Sequence, residues 1–363
     1  MRLRSAHVYL CDGALSGMNF LKKWRWLSIS AHAGIVGFIA GAICAGFVVY
    51  LFDRHESDQN LRAVRQSDIA SSSAYEFTDP LISVSLGGVN PAPEYTQLYK
   101  QVSSYIAGQQ NVGLAAASVS FRDINNSDGF NVNPSTLYDP ASLTKIPLAM
   151  AYYSLAEQQP SVLSQSVNYS GTPDLDANEQ VESPVQLVPG NYTVEQLIEH
   201  LIRYSDNNAE QLLADQLAAI GQLPVLSTLF ADLGVKSSPD NPDYATAQSY
   251  SLFLRVLYNA TYLDRDYSEK LLQLLSQSDF SKGIEAGVPN GILIAQKFGD
   301  ARIPNAQGQQ VGAELQDCGI IYYPDHPYVL CVMTKGANIS VLESTISNIS
   351  QIVYQDIEQR YPQ

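Results

Sequence analysis

The sequence predicts an α/β protein in which an antiparallel sheet, built from both ends of the folded part, is flanked by helices and joined to an all-helical lobe. Three observations predict this class. Strand-like apolar runs occur near the start of the folded part and again near its end, and helical patterns fill the region between them. A separate apolar stretch near the N-terminus predicts one transmembrane helix before this body.

The predicted membrane helix contains an uncharged run from Ala33 to Phe52, which is long enough to cross a bilayer. A signal peptide is the alternative, but this run exceeds a typical signal core and no clean cleavage site follows it. Basic residues precede the span and acidic residues follow it, so the N-terminus is expected in the cytoplasm and the rest of the chain outside. We assign residues 1–25 to a cytoplasmic segment and 26–52 to the helix, with Met1 and Met18 both open as the start.

The part of the chain beyond the span is strongly acidic. The formal net charge is −15, and five of the 21 basic residues lie before the span. A body of this charge repels nucleic acid and anionic lipid surfaces. We therefore expect no nucleic-acid partner, and contact with the membrane through the N-terminal helix alone.

The remaining elements follow in order along the chain. Residues 53–91 are polar and Ser-rich and predict an extracytoplasmic linker, and 92–363 predict the folded domain. The domain begins with a helical pattern, a strand, a turn and a second short strand, and helical patterns then dominate from Ser142 to about Gln277. Three strand patterns and a last amphipathic helix complete it, in the stretches "GILIAQKFGD", "ELQDCGIIYY", "YVLCVMTKG" and "SVLESTISNISQIVYQDIEQR".

Two of the four cysteines, Cys318 and Cys331, lie beyond the span on adjacent strand patterns joined by "PDHP". A hairpin brings them near each other in an oxidising compartment. Both a disulfide and two buried free thiols fit this pattern. Because Cys11 and Cys44 lie in or before the span, the two remaining cysteines are too few for a disulfide scaffold or a four-thiolate zinc site, and we predict no metal or cofactor.

The stretch "YDPASLTKIPLAMAYY" places a lone lysine at the start of a helix that is apolar on nearly every face. Ser142 and Lys145 are three residues apart and therefore project from one helix face. A buried lysine loses its proton more easily than an exposed one, and the neutral amine can activate a serine as a nucleophile. The motif S-x-x-K is expected about once by chance in a chain of this composition, and it occurs once here. Its position at the start of a predicted buried helix favours a functional role.

Two further motifs follow. Ser205, Asp206 and Asn207 interrupt two helical runs, where the simpler interpretation is a helix cap formed by Asn207 and Glu210. Lys297 and Gly299 lie in a predicted strand, where the simpler interpretation is a glycine that permits a close backbone approach.

Together and in this order, the three motifs resemble those of the penicillin-recognising serine hydrolases, most closely class A β-lactamases and penicillin-binding proteins. The resemblance covers roughly residue 91 to the C-terminus and implies an α/β domain with a helical lobe. It implies that Ser142 is the nucleophile and Lys145 its activating base, and that Ser205 relays a proton to the leaving nitrogen. It also implies that Asn207 and Lys297 bind the side-chain amide and the carboxylate of the substrate. The expected oxyanion hole consists of the backbone N–H groups of Ser142 and Asp300, beside Gly299.

Two departures from the family pattern concern the binding of the substrate carboxylate and the activation of the water that hydrolyses the acyl-enzyme. Phe298 replaces the hydroxyl residue that follows the lysine in the family, so another donor such as Arg302 is needed for the substrate carboxylate. The family also carries a Glu-x-x-Leu-Asn loop that activates the deacylating water. Here the matching region "LGVKSSPDNPDYATAQSY" has no glutamate, and neither Asp240 nor Asp243 matches that motif.

The expected activity is hydrolysis of β-lactams or of D-alanyl cell-wall peptides through an acyl-serine intermediate, at the surface or in the periplasm of a bacterium. A D,D-carboxypeptidase with slow deacylation and a non-catalytic β-lactam or cell-wall sensor are the alternatives. A Ser-His-Asp triad is disfavoured, because three of the five histidines lie in or beside the membrane segment and His200 is expected to be structural.

Overall fold

The computed structural model describes residues 75–80, 91–177, 179–235 and 244–363. The predicted membrane helix (26–52) and most of the predicted linker (53–91) lie outside these residues. Among the described helices, none is by itself long and apolar enough to span a bilayer. Two consecutive helices, Asn207–Ala219 and Pro224–Asp232, are long and apolar enough together, but the chain bends by 103° between them.

The centre of the domain is a five-stranded antiparallel sheet in the strand order β2-β1-β7-β6-β5. The prediction that both ends of the folded part build one sheet is confirmed, since β1 pairs directly with β7 along its length. The strands are β1 (Leu114–Asp123), β2 (Gly129–Val132), β5 (Ile294–Pro304), β6 (Gln310–Ile321) and β7 (Tyr328–Gly336).

Two helices cover one face of the sheet, α1 (Thr96–Gln109) near the start of the domain and α8 (Ile339–Arg360) at its end. In α1 the buried residues Leu98, Val102 and Ile106 recur every four positions, which gives the helix one apolar stripe. These side chains join strand residues of the same face in one core cluster.

The opposite face supports the helical lobe, which forms a second core cluster with this side of the sheet. Nearly every side chain of α2 is buried, so this helix lies in the middle of the lobe. The six helices are α2 (Lys145–Gln158), α3 (Val194–Arg203), α4 (Asn207–Ala219), α5 (Pro224–Asp232), α6 (Ala247–Tyr258) and α7 (Arg265–Leu275).

A small two-stranded antiparallel sheet within the lobe was not predicted from the sequence. It pairs β3 (Ser166–Tyr169) with β4 (Gly190–Thr193). Each strand has four residues and mostly polar partners, so the alternation that would identify it is too short. The chain between the two strands is the long segment 170–189, and its described residues reach the functional site described below.

Cys318 and Cys331 lie opposite each other on β6 and β7 and are joined by a disulfide bond. Of the two possibilities that the sequence left open, the structure therefore contains the bond. Both residues are fully buried on the sheet face that supports the helical lobe.

Part of the predicted linker is attached to the domain. The backbone N–H groups of Glu76 and Phe77 donate to Glu269 of α7, at 2.6 and 2.8 Å, and the Thr78 hydroxyl donates to the same carboxylate at 2.9 Å. Arg265 of α7 also donates to the Thr78 carbonyl, and Phe77 is buried. Residues 75–80 thus belong to the surface of the lobe.

Candidate active site

Ser142 and Lys145 meet where a tight turn leads into the central helix. Ala141–Thr144 is a 3₁₀ turn, and Lys145 begins α2. Residues three apart eclipse each other in this geometry, so Lys145 Nζ lies 2.7 Å from Ser142 Oγ. Ala141, directly before the serine, has a φ of 46°, in the left-handed region that residues with a Cβ rarely adopt. Such backbone strain is concentrated at functional sites.

The Lys145 ammonium is fully buried and is surrounded by oxygen atoms from the segment between α3 and α4. It donates to the Ser205 carbonyl at 2.5 Å and to Asn207 Oδ1 at 2.6 Å, and it lies 3.3 Å from Ser205 Oγ. A buried cation needs such partners because its desolvation would otherwise be costly. The structure therefore brings the first two sequence motifs into direct contact.

The Ser-Asp-Asn segment is not the capping box that was considered from the sequence. The cap of α4 is Asp206, whose carboxylate accepts the Ala209 N–H at 2.8 Å. That leaves the side chains of Asn207 and Glu210 directed at the Lys145 site. Ser205 has a φ of 56°, a second left-handed residue at this site.

Lys297 of β5 completes the group from the sheet side. Its ammonium donates to Ser205 Oγ at 2.8 Å and to the Phe298 carbonyl at 2.9 Å. Burial, with the positive charge of Lys145 as the next cause, lowers the pKa of Lys297 to about 7. Ser205 Oγ thus lies within hydrogen-bond distance of both amines, and because both are donors, its own O–H remains able to donate.

Gly299 lets the edge strand β5 approach the nucleophile turn. A Cβ at this position would lie 2.7 Å from the Pro140 carbonyl oxygen and 2.8 Å from the Ser142 nitrogen. Only glycine fits this approach, which brings the backbone of residues 299–300 beside the Ser142 N–H. The expected oxyanion hole between Ser142 and Asp300 stays a prediction that this proximity favours.

The side chains around Gly299 differ from each other in their surroundings. Phe298 is buried and stacked on Phe280 with 4.3 Å between ring centroids, and Lys297 Nζ lies 4.4 Å from the centroid of its ring, so Phe298 gives the lysine an aromatic face and no polar group. The Asp300 carboxylate accepts a hydrogen bond from Gln180 at 3.1 Å, and Arg302 is exposed farther along β5.

Two glutamates that sequence analysis did not assign to the site also reach it. Glu179, from the loop 170–189, accepts a hydrogen bond from Asn207 Nδ2, and burial raises its pKa to about 7. Glu210, in the first turn of α4, forms an ion pair with Lys145 at 3.6 Å and accepts the Thr144 hydroxyl at 3.0 Å. The spacing of three between Asn207 and Glu210 could have identified the latter, since it places both on one helix face.

The resulting arrangement is suited to nucleophilic catalysis by a serine. One hydroxyl contacts a buried amine, and a second hydroxyl lies between that amine and another. His200 lies 3.5 Å from Asp206, the cap of α4, and does not contact Ser142 among the described hydrogen bonds. The five predicted residues Ser142, Lys145, Ser205, Asn207 and Lys297 therefore form one continuous group.

Comparisons with known proteins concern the family and the fold. Residues 97–357 match the profile of a family described as the β-lactamase enzyme family. A comparison with curated proteins gave no match.

Three solved structures illustrate the similarity of the fold. PBP-A is 22% identical with a TM-score of 0.62, and the match covers 75% of this chain and 100% of that one. A leucine-to-glutamate mutant of PBP-A, solved as an acyl-enzyme complex with penicillin G, is 23% identical with a TM-score of 0.60 and coverage of 73% and 97%. A class A β-lactamase from Mycobacterium abscessus is 23% identical with a TM-score of 0.59 and coverage of 72% and 99%.

Proposed function

The chain belongs to the β-lactamase enzyme family, and from its site we propose that it is a membrane-anchored serine hydrolase that acts on β-lactams or D-alanyl cell-wall peptides. The reaction proceeds through an acyl intermediate on Ser142. The observation that carries the proposal is the 2.7 Å contact between Lys145 Nζ and Ser142 Oγ in a buried site that contains Ser205, Asn207 and Lys297.

In the acylation step, Lys145 acts in its neutral form: the amine accepts the Ser142 proton while Ser142 Oγ attacks the carbonyl carbon of the substrate. The oxyanion that forms is stabilised by the backbone N–H groups of Ser142 and Asp300. The bond to the leaving nitrogen then breaks, and Ser205 passes a proton from the amine side of the site to that nitrogen. The position of Ser205 Oγ between Lys145 and Lys297 supports this relay.

Substrate binding involves the two remaining predicted residues. Lys297 attracts the carboxylate that β-lactams and D-alanyl peptides share. Asn207 offers its amide to the side-chain amide of the substrate. Glu179 accepts one Asn207 Nδ2–H in this structure, and Nδ2 carries a second N–H that the substrate can use.

Membrane anchoring is the part of the proposal that depends on the sequence. The uncharged run at 33–52, with basic residues before it and acidic residues after it, supports a single-pass protein. The domain then lies outside the cytoplasm, at the surface or in the periplasm of a bacterium, where cell-wall peptides and β-lactams are encountered.

A penicillin-binding protein with slow deacylation is the second candidate, favoured by the lack of a glutamate between Leu233 and Tyr250. A non-catalytic sensor is the third, favoured by Phe298 in place of a hydroxyl residue. The four side chains of Ser142, Lys145, Ser205 and Asn207 disfavour a sensor, because a protein without catalysis has no physical need for all of them.

The test is intact mass spectrometry of the full chain, followed over time after mixing with penicillin G, with Ser142→Ala as the comparison. The proposal predicts an adduct of the mass of penicillin G in the natural chain and none in the variant. An adduct that clears indicates a lactamase, and one that persists indicates a penicillin-binding protein. An adduct that also forms in Ser142→Ala contradicts the proposal, and no adduct in either chain, without loss of penicillin G, contradicts its β-lactam part.

A further inference from the structure

Glu210 is the acidic side chain that forms an ion pair with Lys145 in the described part of the site. Its Oε2 lies 3.6 Å from Lys145 Nζ, and its Oε1 accepts the Thr144 hydroxyl at 3.0 Å. The second contact fixes the carboxylate in place, because Thr144 lies in the turn that also presents Ser142.

Water can reach this carboxylate. The Lys145 side chain is fully buried, whereas the Glu210 side chain is 31% exposed. The amine is therefore at the closed end of the site, and Glu210 lies between that amine and solvent. A carboxylate in this position can take a proton from a water molecule that enters the site.

The distance to the nucleophile suits a single bridging water. Ser142 Oγ lies 2.7 Å and Glu210 Oε2 lies 3.6 Å from Lys145 Nζ. The two oxygens are therefore at most about 6.3 Å apart, a range that includes the span of two hydrogen bonds through one water. That water would lie beside the carbonyl carbon of an acyl group on Ser142.

We propose that Glu210 is the base that activates the water which hydrolyses the acyl group on Ser142. This rests on the proposed function, because it presupposes an acyl-Ser142 intermediate. It also accounts for the lack of a glutamate in the stretch after α5, since the carboxylate is supplied by α4 instead.

The step balances as a hydrolysis. The water oxygen forms a bond to the acyl carbon while one of its protons moves to Glu210. Glu210 passes the proton of the water to Lys145, with which it is paired. The tetrahedral intermediate collapses, the bond between the acyl carbon and Ser142 Oγ breaks, Lys145 donates that proton to Ser142 Oγ, and the product leaves as a carboxylic acid.

The other nearby carboxylates are engaged differently. Asp206 accepts the N–H groups of Ala209 and Leu187 and so holds the chain at the start of α4. Asp176 accepts the Asn207 N–H. Glu179 is linked to Lys145 through the Asn207 amide, whose Nδ2 donates to Glu179 and whose Oδ1 accepts from the lysine.

The experiment measures acylation and deacylation separately in the full chain with penicillin G, by rapid quenching and intact mass. Glu210→Gln keeps the size of the side chain but removes the base. We expect it to form the adduct within about threefold of the natural rate and to clear it at least 100-fold more slowly, the usual size of a general-base contribution. Glu199→Gln, an exposed glutamate on α3 paired with Arg203, is the matched control and should clear normally.

The pH profile separates a base from a merely structural residue. The clearance rate of the natural chain should fall at acidic pH as a carboxylate is protonated, and Glu210→Gln should lack this limb while Glu210→Asp keeps it. Normal clearance by Glu210→Gln, or a selective loss in Glu179→Gln instead, overturns the inference.

The remaining outcomes distinguish this inference from the proposed function. If the natural chain forms an adduct that never clears, the inference fails and acylation at Ser142 stands. If no variant forms an adduct, the proposed function itself fails. If Glu210→Gln loses acylation as well but Glu210→Asp restores both steps equally, Glu210 is a positioning residue and the inference is overturned.

Discussion

Replacement of Gly299 by alanine should separate β5 from the nucleophile turn and slow acylation strongly. The added Cβ would lie 2.7 Å from the Pro140 carbonyl oxygen, 2.8 Å from the Ser142 nitrogen and 3.1 Å from the Leu143 nitrogen. All three are backbone atoms of one turn, so they cannot move aside individually. An ordinary contact needs about 3.5 Å, and β5 must therefore retreat by roughly 0.7 Å.

A displacement of that size affects the site more than the fold. A misplacement of about 1 Å can cost about 100-fold in rate, so we expect acylation by penicillin G to slow by about 30- to 100-fold in Gly299→Ala. The unfolding free energy should fall by about 1–3 kcal/mol, the usual cost of overpacking. Stopped-flow acylation and thermal unfolding measure the two effects.

Gly108→Ala is the matched control, because a Cβ at Gly108 of α1 meets no atom within 4 Å. It should acylate at the natural rate. Acylation by Gly299→Ala at the natural rate would refute the reasoning, since β5 would then not need its close approach to the turn. An equal loss in Gly108→Ala would show that the assay reports stability rather than site geometry.

Two further predictions concern charge and docking. Burial and the charge of Lys145 lower the pKa of Lys297 to about 7, so Lys297 is charged below that pH and neutral above it. The kcat/KM for penicillin G should therefore fall between pH 6 and 8, whereas the kcat/KM for its methyl ester, which lacks the carboxylate, should show no matching fall. Parallel pH profiles for the two substrates would contradict this role of Lys297. Glu269→Gln should weaken the three hydrogen bonds that hold residues 76–78, lower the unfolding free energy by about 1–2 kcal/mol and speed proteolysis in this segment. Proteolysis at the rate of the natural chain would show that other contacts hold the segment.

The sheet and the reacting pair were predictable from local sequence because each has a local cause. The strands β5, β6 and β7 run for 11, 12 and 9 residues and β7 is apolar over most of its length, and Ser142 and Lys145 are three residues apart at the start of a mostly apolar helix. The resemblance to a known family then joined three separate motifs into one site, which spacing alone does not do.

The residues that sequence analysis missed depend on contacts between distant parts of the chain. Glu210 looked like a capping residue because its spacing from Asn207 fits that role, and only the position of α2 beside α4 reveals its pairing with Lys145. Glu179 lies in a long loop with no periodic pattern, and its partner Asn207 is 28 residues away. The disulfide required the register of β6 on β7, which places Cys318 opposite Cys331.

The most direct test of the central claim is to identify the acylated residue. The full chain is quenched soon after mixing with penicillin G and digested with trypsin, and the peptides are sequenced by mass spectrometry. We predict that the penicillin adduct is carried by Ser142 in the peptide that ends at Lys145. An adduct on any other residue would contradict the assignment of Ser142 as the nucleophile, and so would hydrolysis of penicillin G at the natural rate by the Ser142→Ala variant.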